Sequence, residues 1–122
     1  LNILDLAKGT EADMLFSCPP YADLEVYSEA KEDISNMEYP KFMEVYREII
    51  ASSCQLLKED SFAVFVVGDV RDKNGIYRNF VSDTIGAFKD AGLHLYNEII
   101  LVNTVGTLAI RAGRQFNIGR KV

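Results

Sequence analysis

The spacing of apolar positions predicts strand, helix, strand, helix, strand along this chain. Ala12 to Ser17 is a short apolar run stopped by Pro19 and Pro20. It suits a buried strand better than a helix, because a proline pushes the residue before it out of helical geometry. Residues 22–39 are polar and acidic with no sustained period, so they are expected to form a long loop over the end of that strand, ordered by a ligand. Pro40 suits the first turn of a helix. From Phe42 onward, Val45, Tyr46, Ile49, Ile50, Ser53, Leu56 and Leu57 follow the three-and-four spacing of one helix face.

Phe62 to Val67 is an unbroken apolar run, the mark of a parallel strand covered on both sides. Asn74-Gly75 signals a turn. After it Tyr77, Phe80, Val81, Thr84, Ile85 and Phe88 mark a second helical face, with Gly92 as its left-handed cap. A third strand is expected at Leu93 to Val102. Residues 103–122 hold three glycines and no clear period, which predicts a loop or irregular hairpin leading to a last strand. The order of elements implies two right-handed crossovers and a mostly parallel α/β sheet.

Composition narrows the class. With 122 residues and 48% hydrophobic content, the chain is a single domain at most and has enough apolar side chains for a core. No apolar run approaches the roughly 18 residues that a membrane helix needs, and no leader peptide opens the chain, so no membrane partner and a cytoplasmic location are expected. Cys18 and Cys54 lack metal-ligand spacing and read as free thiols. His94 reads as a surface or edge residue, while Tyr46 and Tyr77 fall on apolar stripes and are expected in the core. Residue 1 is Leu, which suggests a piece of something longer, with further domains or a homodimer open.

The net charge of −5 hides an asymmetry, because residues 1–60 hold 13 acidic and 5 basic side chains whereas residues 61–122 hold 5 and 8. The basic end carries Arg111, Arg114, Arg120 and Lys121, a candidate surface for phosphates or simply a solvated loop.

The first strand runs into Cys18-Pro19-Pro20-Tyr21. Two prolines hold backbone carbonyls rigidly at the carboxyl end of a sheet, where open α/β folds keep their sites. This stretch resembles the (Asp/Asn/Ser)-Pro-Pro-(Tyr/Phe/Trp) motif of S-adenosylmethionine-dependent amino-methyltransferases, which methylate exocyclic nitrogens of adenine or cytosine in DNA. The resemblance runs from Asn2 to Lys121. It implies a Rossmann-like methyltransferase fold, incomplete at one or both ends, with 1–122 as a partial catalytic domain of a bacterial, phage or restriction-modification enzyme. It also implies DNA as partner, adenine N6 favoured over cytosine N4, and S-adenosylmethionine as cofactor.

By the same resemblance, the side chain at Cys18 and the carbonyl of Pro19, held still by Pro20, accept from the target amine, and Tyr21 stacks on a base flipped out of the duplex. Cys18 departs from the family pattern, since a thiol is a weak acceptor. A covalent role for it is disfavoured, because enzymes that methylate a cytosine ring carbon carry a Pro-Cys pair and the order here is Cys-Pro-Pro. Asp69 and Arg71 follow the second strand and border the same crevice as substrate or DNA contacts, unless their charges serve only the turn. Arg111 and Arg114 would contact phosphates. The family's Phe-x-Gly-x-Gly cofactor turn is absent, as none of the eight glycines forms a Gly-x-Gly, so the main cofactor site is expected outside this chain and the chain alone inactive. Alternatives are methylation of an RNA base or a protein glutamine, a non-catalytic remnant that binds DNA or a partner, and a Pro-Pro turn that merely ends a strand.

Overall fold

The computed structural model describes residues 3–22 and 27–102. In chain order these form α1 (Ile3–Leu6), β1 (Ala12–Ser17), a short 3-10 helix (Ile34–Asn36), α2 (Tyr39–Cys54), β2 (Leu57–Phe65), β3 (Val70–Arg71), β4 (Tyr77–Arg78) and α3 (Phe80–Asp90). The architecture is mixed α/β. Strands β1 and β2 pair in parallel, with α2 in the connection between them, which is the first expected crossover.

The register runs Met14↔Phe62, Leu15↔Ala63, Phe16↔Val64 and Ser17↔Phe65, and the Val66 amide donates to the Ser17 carbonyl at 2.9 Å just beyond the end of β2. At the other end, Ala12 opposes Leu57 and Met14 opposes Phe62, so Asp13 alone faces the four residues Lys58 to Ser61. Asp60 takes a left-handed φ of 59° in this bulge, a conformation that Asp tolerates better than most side chains. Strand β2 therefore begins five residues before the expected Phe62, because β1 recruits the polar segment ahead of the apolar run.

Helix α2 starts as anticipated, with Pro40 in its first turn. Phe42, Tyr46, Ile50 and Ser53 form its buried stripe. It ends earlier than the apolar spacing suggested. Leu56 lies in the turn, donating to the Ser53 carbonyl and accepting from the Ala12 amide, and Leu57 already belongs to β2.

Asn74-Gly75 closes a hairpin in which Val70 pairs with Arg78 and Arg71 with Tyr77, with Gly75 at a φ of 82°. The Asp72 carboxylate accepts from the amides of Asn74 and Ile76, both at 2.8 Å. This corrects the expected helix start at Tyr77, because pairing with Arg71 claims that residue for β4. Helix α3 begins at Phe80, and Tyr77 is exposed rather than core. The helix buries Phe80, Thr84 and Ala87 and is followed by Gly92 at a φ of 91°, in the expected left-handed conformation.

The core lies between the two long helices and one face of the β1–β2 pair. Phe42, Tyr46, Ile50, Phe80 and Ala87 are buried in it, and Phe65 packs edge-on to Phe88 at 4.8 Å and against Tyr46 at 6.4 Å. Arg47 pairs with Asp90 across the α2–α3 surface. On the other sheet face Met14, Phe16, Phe62, Val64 and Val66 are exposed, so the expected two-sided cover is present on one side among the described residues.

The third strand expected at Leu93 to Val102 is a further correction. No ladder joins this segment to another described strand, and Leu95, Tyr96 and residues 99–102 are exposed, although Tyr96 sets its ring 5.3 Å from that of Phe62. An apolar run supplies strand propensity, but a strand is made only where its amides and carbonyls enter a partner's ladder. The second crossover is accordingly not formed among the described residues. The expected hairpin at 103–122, with Arg111 and Arg114, lies outside them. No described helix is long and apolar enough to cross a membrane.

Candidate functional site

At Ser17 the chain leaves the sheet and enters the Pro-Pro turn. Cys18 exposes its thiol, Pro19 is buried, and Pro20 and Tyr21 are half-buried. The Tyr21 ring stands edge-on to Phe80, with centroids 5.5 Å apart and planes at 76°. Its hydroxyl reaches Gly68, where an added Cβ would lie 3.8 Å away. The motif therefore sits beside the carboxyl end of β2 and the first turn of α3. Ala22 follows, fully buried at a φ of 53°. Left-handed backbone costs a non-glycine residue roughly 1–2 kcal/mol, so core packing must hold this exit from the motif in place.

The loop after the motif has an order of its own in its described part. Asp33 accepts from the amide and hydroxyl of Ser35 at 2.9 and 2.7 Å and from the Ser28 hydroxyl at 2.7 Å. The Ser35 hydroxyl in turn accepts from the Tyr27 amide, and the Asn36 side chain donates to the carbonyls of Ser28 and Ala30. The Ser35 hydroxyl first, then that of Ser28, holds the Asp33 carboxyl below its usual range. Ser35 is completely buried, and Ile34 and Met37 pack on the core. Internal hydrogen bonds thus tie the loop together over residues 27–36.

Asp69 and Arg71 are engaged by the hairpin and by α3. The Asp69 carboxylate accepts from the Tyr77 hydroxyl at 2.6 Å and from the Val81 amide at 3.0 Å. These bonds, the Tyr77 one foremost, hold its carboxyl below the ordinary range and push the Tyr77 phenol up. Arg71 donates to the Gly75 carbonyl at 3.0 Å, with its guanidinium 5.6 Å from the Tyr77 ring centre. These are the contacts of charges that serve a turn.

A second cluster has no sequence signal. The Tyr39 hydroxyl donates to Asp83 at 2.7 Å across 44 residues of chain, and the Arg78 guanidinium lies 4.9 Å from the Tyr39 ring centre. Burial, with Asp83 second, pushes the Tyr39 phenol well above its ordinary value. Tyr39 also meets Phe80, with ring centroids 6.4 Å apart, so this cluster and Tyr21 share one aromatic neighbour.

What the site offers chemically is an exposed sulfur, a rigid turn carbonyl and a seated aromatic ring. Among the described residues no group of three or more His, Cys, Asp or Glu side chains could hold a metal ion. No two of the described glycines are spaced as Gly-x-Gly. Gly9, Gly75 and Gly92 face open space, Gly86 lies against Arg47, and Gly68 faces Tyr21. No protein-family model, curated protein or solved structure matches the chain.

Proposed function

We propose that this chain is the catalytic part of a Rossmann-like, S-adenosylmethionine-dependent DNA amino-methyltransferase acting on adenine N6, with cytosine N4 as the alternative target. What supports the reading is the position of Cys18-Pro19-Pro20-Tyr21 at the carboxyl end of a parallel strand, with Tyr21 seated against Phe80. An exocyclic amine is a poor nucleophile because its lone pair is delocalised into the ring. In this reading the Pro19 carbonyl accepts from the amine and holds it toward tetrahedral geometry, and the weaker Cys18 sulfur takes the second N–H. Tyr21 stacks on the extruded base, and Arg111 and Arg114 neutralise neighbouring phosphates.

S-adenosylmethionine would supply the methyl group when bound. No Gly-x-Gly turn occurs in the chain, so in this reading its main binding site lies outside these residues. The alternative reading is a non-catalytic module that binds DNA without transferring anything.

Incubating the full-length protein with S-adenosylmethionine carrying a tritiated methyl group and, in parallel, with DNA, RNA or a glutamine-bearing protein tests both readings. The enzyme labels DNA, and Tyr21→Ala lowers the rate by roughly 5- to 150-fold, in line with about 1–3 kcal/mol of base stacking. DNA that binds but stays unlabelled points to the non-catalytic module. Label appearing only in RNA or on protein glutamine overturns the choice of substrate.

A further inference from the structure

A helix begins with amide groups that lack intrahelical acceptors, and α3 meets this need in an unusual way. Its N-cap residue Asn79 makes no side-chain capping bond. Instead Asp69, twelve residues before Val81, accepts from the Val81 amide at 3.0 Å, while its other oxygen holds the Tyr77 hydroxyl at 2.6 Å. A single carboxylate therefore ties both the hairpin and the first turn of α3 to the end of β2. A negative charge also suits the start of a helix.

Between Asn79 and Val81 stands Phe80, 1% exposed, and its ring is the one on which Tyr21 rests. The same ring meets Tyr46 at 5.4 Å and Phe42 at 5.7 Å, so Phe80 is gripped on its inner side by the core. Its remaining freedom is the placement of the helix turn that carries it. We propose that Asp69 is a positioning residue for Tyr21, acting by fixing the first turn of α3 and, through Phe80, the seat of the Tyr21 ring. The inference rests on the reading of Tyr21 as the platform for the target base. It gives Asp69 a role apart from direct contact with DNA, one that runs through the protein donors its two carboxylate oxygens hold.

The test uses Asp69→Ala and Asp69→Asn in the full-length protein, with two readouts. The first is the NMR spectrum of tyrosine-labelled protein, in which Tyr21 is assigned through Tyr21→Phe and its shift reports the Phe80 ring current. Asp69→Ala should move the Tyr21 ring resonances while those of Tyr96, whose ring lies against Phe62, stay. Asp69→Asn should restore them, because its amide oxygen accepts from Val81 and its amino group donates to Tyr77. The second readout is methyl transfer to DNA, where kcat should fall roughly tenfold or more in Asp69→Ala, recover in Asp69→Asn, and leave KM for DNA unchanged.

A purely structural role predicts lower stability with an unmoved Tyr21 resonance in the folded protein, and that result overturns the proposal. So does an Asp69→Asn variant as impaired as Asp69→Ala, or a change confined to KM. If Asp69→Ala does not fold, Tyr77→Phe removes one of the two bonds and should shift Tyr21 in the same direction by less. An unmoved Tyr21 there is equally fatal. Wild-type protein that transfers no methyl group to DNA refutes the enzymatic reading instead, whatever the Tyr21 spectrum shows.

Discussion

Phe80→Ala is the substitution on which the packing argument can be judged most directly. Phe80 is 1% exposed and lies against four rings, with centroid distances of 5.4 Å to Tyr46, 5.5 Å to Tyr21, 5.7 Å to Phe42 and 6.4 Å to Tyr39. Truncating a buried Phe costs about 3–5 kcal/mol, the sum of lost transfer energy and the cavity left behind. The upper half of that range is expected here, because stiff aromatic neighbours on α2 and in the Pro-Pro turn cannot collapse into the space. A domain of this size has about 5–15 kcal/mol of total stability, so the loss is a large share of it. Urea unfolding followed by tyrosine fluorescence is a suitable assay, as the chain has six tyrosines and no tryptophan. With a urea slope of about 1–3 kcal/mol per molar, the midpoint should fall by roughly 2 M. Phe80→Leu keeps most of the volume and should lose under about 1.5 kcal/mol. A midpoint that barely moves in Phe80→Ala, or equal losses in the two variants, would show that Phe80 is not the hub described.

The alkaline limb of stability provides a separate check. Burial pushes the Tyr46 phenol up to about 12, against the smaller opposing effect of its hydrogen bond with Thr84. Its contribution is therefore complete below pH ~10, the unfolded value, and is lost as pH rises from there through the folded one, by about 2–3 kcal/mol in all. Tyr46→Phe should flatten that part of a pH series of urea midpoints, and an unchanged alkaline slope would refute the assignment. Cys18→Ser replaces a weak acceptor with a stronger one and should keep or raise methyl transfer to DNA. A folded but inactive serine variant would instead mark the thiol as a covalent nucleophile.

The features read correctly from the chain are those governed by neighbouring residues. The bounds of β1 follow from an apolar run ended by prolines, the start of α2 from Pro40, and its buried stripe Phe42, Tyr46, Ile50 and Ser53 from helical spacing. The turn at Asn74-Gly75 and the left-handed Gly92 need only local backbone chemistry. The Cys18-Pro19-Pro20-Tyr21 motif was equally visible, down to its place after a strand. What went astray depends on partners distant in sequence. Leu57 carries a helical stripe but is taken by the edge of β1, Tyr77 is drawn into a hairpin by Arg71, and Leu93 to Val102 has strand composition but joins no ladder with a described strand. For Asp69 the chain leaves open a charge lining a crevice or one serving a turn, and its engagement by Tyr77 and Val81 emerges only when the hairpin folds back on the start of α3. Periodicity and turn residues set what a segment is able to form, because they act within a few bonds. Which donor meets which acceptor, and which ring seats Tyr21, is decided by long-range closure of the chain, where the hydrogen-bonding and burial energies outweigh local preference.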